Sequence, residues 1–154
     1  MKPVLVPVDY SDESRAVLEY ALVLAQGLGV DLHVLYVAET MPDFSPELLV
    51  KTEQGVRPLC DIVEENAARE MKEFLARTAP PENTKLVEHI VRGHAGSTIV
   101  SWTRNGRFEL VVIGTHGRRG LSRLALGSVA GKVVRLSPIP VVTLPSRHAH
   151  SESS

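Results

Sequence analysis

The sequence predicts an α/β fold in one domain, an open five-stranded parallel sheet with helices on both faces. Three observations carry that expectation. Short Val- and Leu-rich runs alternate with longer stretches of helical periodicity, and the alternation repeats five times. The runs are apolar throughout rather than apolar on alternate residues, as strands covered on both faces should be. The chain has 154 residues, 44% of them apolar and 23% charged. That suits a single globular unit burying roughly two-thirds of its unfolded surface.

The elements follow in order. Pro3 to Val8 reads as the first strand. Ser11 to Leu28 reads as a helix, with Ala16, Val17, Tyr20, Ala21, Leu24 and Leu28 at helical spacing. Ser11 is placed to cap it, Asp12 and Glu13 suit the positive end of its dipole, and Gly29 is a natural stop. Asp31 to Ala38 is the second strand. Glu39 to Gly55, broken by Pro42 and Pro46, is expected to be a loop with a short helical piece, and Val56 to Thr78 a helix ending before Pro80-Pro81.

Thr84 to Val91 is the third strand, Gly96 to Asn105 a short helix, and Glu109 to Ile113 the fourth strand. Gly114 to Leu126 is a loop rich in glycine and arginine. Gly127 to Leu136 is a helix, and Pro140 to Leu144 the fifth strand. Residues 1–145 make the domain, and 146–154 read as a disordered polar tail.

Charge and cysteine content narrow the function classes. A net charge of −1 gives no global attraction to nucleic acid or anionic membrane, and neither is expected as a partner. Cys60 is the single cysteine, so no intrachain disulfide forms, and it reads as a small apolar residue rather than a redox thiol. The apolar start is cut by Asp9 and lacks a cleavage site. No apolar run reaches the roughly 20 residues of a membrane span, and a cytoplasmic location is expected.

In an open parallel sheet, ligands sit beyond the C-terminal strand ends, where strand order reverses. The fourth strand leads into Gly114-Thr115-His116-Gly117-Arg118-Arg119-Gly120, and Gly127-Ser128-Val129 then opens a helix. Glycine allows close backbone approach, and a helix N-terminus offers free N–H groups and a favourable dipole to an anion. Arg118, Arg119 and Arg123 add positive charge, so a polyphosphate is the expected guest. Asp9 ends the first strand, where a carboxylate can accept from ribose hydroxyls or serve as an ordinary acid at a helix start. Val37 and Ala38 end the second strand, with backbone groups available to a base edge.

Other phosphate sites are excluded. The chain has no GxxxxGK[ST] run, no GxGxxG after the first strand, and no aspartate closing the third strand as a receiver domain requires. His116 has no visible nucleophile to activate and reads as a polar loop or phosphate contact. No catalytic residue and no metal ligand set are assigned.

With these residues in view, the chain resembles the universal stress protein family in its single-domain, ATP-binding form, from Pro3 to about Leu144. The family signature G-x2-G-x9-G-[ST] is met by Gly114, Gly117, Gly127 and Ser128. The flanking VLVPVDYSDES, HGRRGLSRLALGSVAGKVVR and PIPVVTLP are also family-like. The resemblance implies a Rossmann-like sheet of order 3-2-1-4-5, related to the adenine nucleotide alpha hydrolases. It implies that Pro7, Val8 and Asp9 line the adenosine pocket and that the Val37 backbone meets adenine. Gly114, His116, Gly117, Arg118, Gly127, Ser128 and Val129 would surround ribose and phosphates. It further implies ATP with Mg²⁺ as ligand, a regulatory role in stress, and a homodimer pairing its Val141–Leu144 edges. A slow ATPase, and a dimeric interaction module holding AMP or another nucleotide, stay open as alternatives.

Overall fold

The computed structural model describes residues 1–40, 45, 47–116 and 125–146. Strand β1 (Val4–Val8) leads through helix α1 (Asp12–Leu28) to β2 (Leu32–Glu39). A short β3 (Leu49–Thr52) and β4 (Gly55–Pro58) precede α2 (Leu59–Ala76) and β5 (Leu86–Gly93). Then come α3 (Ala95–Arg104), β6 (Leu110–Gly114), α4 (Ser128–Leu136) and β7 (Val141–Leu144).

The main sheet has the order β5-β2-β1-β6-β7, parallel throughout. Counted within that sheet, the order is the expected 3-2-1-4-5. Val4, Leu5 and Val6 of the central strand are fully buried, each worth roughly 1.5–3 kcal/mol of transfer free energy. Their alternation divides the core into two layers. Val4, Val6 and Val8 face Val17, Leu18, Met71 and Phe74 of α1 and α2. Leu5, with Leu35, Val37, Val111 and Ile113, faces Ile99, Val100, Ala130 and Val133 of α3 and α4.

Local chemistry sets the boundaries of α1 where the sequence predicts them. The Ser11 Oγ accepts from the Ser14 N–H at 3.1 Å, and Gly29 closes the helix in the left-handed conformation, φ 65°.

The segment after β2 departs from expectation. In place of a helical piece, Leu49–Thr52 and Gly55–Pro58 pair antiparallel, and α2 starts at Leu59 rather than Val56. The turn is closed by Thr52, whose Oγ1 donates to the Gly55 carbonyl at 2.8 Å and accepts from the Gln54 N–H at 3.2 Å. Gly55 supplies a φ of 110° that a side chain would oppose. Arg57 precedes proline, which disfavours helical backbone there, so Pro58 ends β4 and caps α2. Residues 41–44 and 46 of the predicted loop lie outside the described residues, as do 147–154 of the predicted tail. No helix among the described residues is long and apolar enough to cross a membrane.

Candidate nucleotide site at the strand-order reversal

The chain leaves β1 toward α1 on one face of the sheet and leaves β6 toward α4 on the other. A cleft therefore opens above the C-terminal ends of these two neighbours. Pro7 contributes to the opening. The β1–β6 ladder pairs only Val4 and Leu5 with Leu110 and Val111, and buried Pro7 has no N–H with which to extend it.

At the end of β1 the chain reverses at Tyr10, whose φ of 65° is rare for a residue with a side chain. Its ring and its hydroxyl both help to hold it there. Its ring stacks on Tyr36 with centroids 4.2 Å apart, approaches Phe74 at 5.6 Å, and its hydroxyl donates to the Ala67 carbonyl at 3.0 Å. The reversal leaves Asp9 at the strand end, next to the first turn of α1. The Asp9 Oδ1 accepts from the Ser11 N–H at 3.1 Å and from the Ser11 and Ser14 hydroxyls. The Asp9 N–H in turn donates to Ser14 Oγ at 2.9 Å. One carboxylate oxygen is thus committed to the helix start, the ordinary role weighed for this residue. Nothing in the sequence marked Tyr10 or Ser14 as the groups that orient it.

At the end of β6, Gly114, Thr115 and His116 meet the start of α4. The Gly127 N–H donates to the Thr115 carbonyl at 2.7 Å. A Cβ at Gly127 would lie 3.0 Å from that oxygen and 3.6 Å from the His116 Cα, so a side chain there would press on the Thr115 backbone. As the N-cap of α4, Gly127 has no side chain to accept from the first-turn amides of Ser128 and Val129, and no acid stands in that turn. Thr115 Oγ1 and His116 Nδ1 are 3.0 Å apart, and the Thr115 N–H donates to the Leu144 carbonyl at 2.9 Å. The two predicted stretches are in direct contact. Gly117, Arg118, Arg119 and Arg123 lie outside the described residues.

β2 outruns β1. Its pairing with β1 ends at Val8↔Tyr36, while its pairing with β5 continues to Glu39↔Gly93. The Val37 backbone thus borders the cleft, with its side chain buried beneath α3 and α4. A depression of about 170 Å³ lies between the N-terminal ends of α3 and α4, lined by Glu39, His94, Ser97, Ser128 and Lys132 among others. Glu39 Oε1 accepts from the Ala95 N–H at 3.0 Å, supplying the cap that α3 lacks from its own His94. Lys132 Nζ donates to Ser97 Oγ at 2.6 Å, tying α4 to α3. These contacts had no sequence signal, because they depend on which helices become neighbours.

The sequence model of the universal stress protein family matches residues 1–145. The chain belongs to that family. A universal stress protein of Thermus aquaticus is 30% identical over 141 residues, covering 92% of this chain and 96% of the relative. One from Methanocaldococcus jannaschii is 26% identical over 143 residues, covering 93% of this chain and 81% of the relative. Among solved structures, a universal stress protein of Lactobacillus plantarum superposes with a TM-score of 0.68 at 27% identity, over 93% and 97% of the two chains. A universal stress protein of Archaeoglobus fulgidus in complex with dAMP gives 0.61 at 21% identity, over 93% and 97%. Another universal stress protein, solved with cAMP, gives 0.56 at 20% identity, over 93% and 95%.

In this universal stress protein, then, Pro7, Val8 and Asp9 stand at the end of β1 and Val37 near the end of β2. Gly114 and His116 stand at the end of β6, with Gly127, Ser128 and Val129 at the start of α4. Among the described residues no group of three or more His, Cys, Asp or Glu side chains converges as a metal site.

Proposed function

We propose that this universal stress protein binds ATP, accompanied by Mg²⁺, in the cleft above β1 and β6, and that occupancy regulates its conformation or its partners in a stress response. The observation that carries the reading is the α4 N-terminus. Among the described residues no side chain caps its first-turn amides, and they stand against Thr115 and His116 through the Gly127 contact. Uncapped amides and a helix dipole together favour a polyphosphate.

Asp9 would take the ribose, the Val37 backbone the adenine, and Gly114, His116, Gly117, Arg118, Gly127, Ser128 and Val129 the ribose and phosphates. Mg²⁺ would enter on the phosphate oxygens, the hard ligands it prefers when protein carboxylates are few. The protein would be cytoplasmic and homodimeric. β7 supports the second point, since it ends the sheet order and carries half-buried Val141, Val142 and Leu144 on an edge able to take a second copy.

A monophosphate reading is favoured by the relatives solved with dAMP and cAMP. Titration calorimetry with ATP–Mg²⁺, AMP and cAMP separates the two. Tightest binding of ATP is expected; equal affinity for AMP would move the assignment to the monophosphate, and no heat with any nucleotide at millimolar concentration would remove both. Steady-state phosphate release then distinguishes holding ATP from slow hydrolysis. Sedimentation showing only monomer at micromolar protein would remove the dimer.

A further inference from the structure

On the α3 side of the sheet, His33 of β2 and His89 of β5 meet at the margin of the core. Their Nδ1 and Nε2 atoms are 2.9 Å apart and their rings stack at 4.9 Å. Aromatic rings flank the half-buried pair. Phe108, 3% exposed, stands edge-on to His33 at 5.3 Å, and Trp102 of α3 edge-on to His89 at 4.8 Å. Trp102 also stacks near Phe108 at 6.1 Å. The histidines occupy the strand positions two residues before Leu35 and Val91, which pack in the same layer. They therefore form part of the seat on which α3 rests.

We propose that the His33–His89 pair is an acid-opened clasp that helps hold α3 on the β2–β5 edge while its rings carry at least one proton fewer than they can. The chemistry follows from the contact. With both rings neutral, or with one protonated, an N–H on one facing nitrogen donates to the lone pair of the other. A second proton puts N–H on both facing nitrogens at 2.9 Å, which removes the acceptor and sets two cations together.

The surroundings oppose the charged forms. Burial, first, and then the neighbouring His89, Lys85 and Arg107 hold His33 below the ordinary histidine value, against a smaller upward pull from Asp31. Burial, and then Arg107, hold His89 below it as well. From α3 the pair is faced by uncharged Trp102. The unfolded chain thus binds more protons than the folded one below the ordinary value of 6.5. Stability is complete above that pH and falls as the pH drops through and below it. Each additional proton taken up by the open form raises its population up to about tenfold per pH unit.

α3 is the element loosened, at its Trp102 end, because that ring reaches the pair, while Ile99 and Val100 keep their place in the core layer. Its other end is tied to α4 by Ser97–Lys132. The clasp stands without any ligand, so its test uses nucleotide-free protein. Proton NMR from pH 8 to 5, with signals assigned by His33→Gln and His89→Gln, should place both imidazoles below 6.5. Amide exchange measured over the same range, corrected for intrinsic rates, should lose protection in α3 on acidification while α1 keeps it. A His33→Phe/His89→Phe variant should lose less melting temperature than wild type between pH 7 and 5. Either imidazole titrating at or above 6.5, or equal protection changes in α3 and α1, would overturn the clasp. If the double variant does not fold, those two wild-type measurements decide.

Discussion

The Gly127 amide donates to the Thr115 carbonyl across 2.7 Å, joining the start of α4 to the end of β6. Eleven residues separate them in sequence, yet the contact is tight enough that a Cβ would stand 3.0 Å from the Thr115 oxygen. The neighbour on that side is backbone, which cannot swing aside as a flexible side chain would.

Gly127→Asp should therefore weaken ATP binding strongly while leaving the sheet intact. It forces the loop outward and brings a carboxylate to a helix start proposed to hold phosphates. A loss of at least tenfold, about 1.4 kcal/mol, is expected by calorimetry, with far-ultraviolet circular dichroism unchanged. Wild-type affinity in this variant would detach the cradle from α4.

Ser14 both accepts from the Asp9 amide and donates to its carboxylate. Ser14→Ala takes the acceptor from the Asp9 amide and one donor from its carboxylate, which keeps those of Ser11, and a cost of about 1–2 kcal/mol in urea unfolding is expected. If Asp9 takes the ribose, the same variant should also bind adenosine nucleotides less tightly than Ser11→Thr, which retains the cap hydroxyl. Unchanged affinity in Ser14→Ala would separate Asp9 from the ligand.

Tyr10 illustrates strain held by packing. Tyr10→Phe keeps the stacking on Tyr36 and loses the bond to the Ala67 carbonyl, so about 1 kcal/mol of stability should go. Tyr10→Gly relieves a left-handed backbone worth roughly 1–2 kcal/mol. It also deletes every ring contact, and a net loss larger than that of Tyr10→Phe is expected. Greater stability of Tyr10→Gly than Tyr10→Phe would mean that the ring contributes less than the strain.

One substitution should have opposite signs at two glycines. Gly93 ends β5 with φ 154°, and a Cβ there would stand 2.4 Å from Thr98 Oγ1, so Gly93→Ala should cost about 1–3 kcal/mol. Gly27 lies inside α1 with nothing within 4 Å of an added Cβ, so Gly27→Ala should gain about 0.5–1 kcal/mol. Paired thermal melts check both, and equal shifts would contradict the local geometry.

The legibility of the chain follows the range of the forces involved. Alternating apolar runs, the Ser11 cap and the Gly29 stop act within one turn or one strand, and the structure reproduces them within a residue or two. The hairpin at Leu49–Pro58 was misread because the helix-forming tract after it extended the expected helix three residues upstream. The Thr52 turn and the Arg57-Pro58 pair were the signals that outweighed it.

For the candidate site, the spacing from Gly114 to Ser128 pointed to the end of β6 and the start of α4, which the structure brings into contact. It carried no trace of the groups that orient Asp9, of the Glu39 cap on α3, or of Lys132 on Ser97.

From its residues alone, then, this protein was determined to be a parallel α/β sheet with a helix that opens on Gly127-Ser128 after its fourth core strand. Only the tertiary structure decided that Tyr10 turns left-handed, that Gly127 touches Thr115, and that His33 meets His89. The last two residues are 56 positions apart. Contacts of that kind arise from strand order and register, which are won by the whole core at once rather than by any local run of sequence.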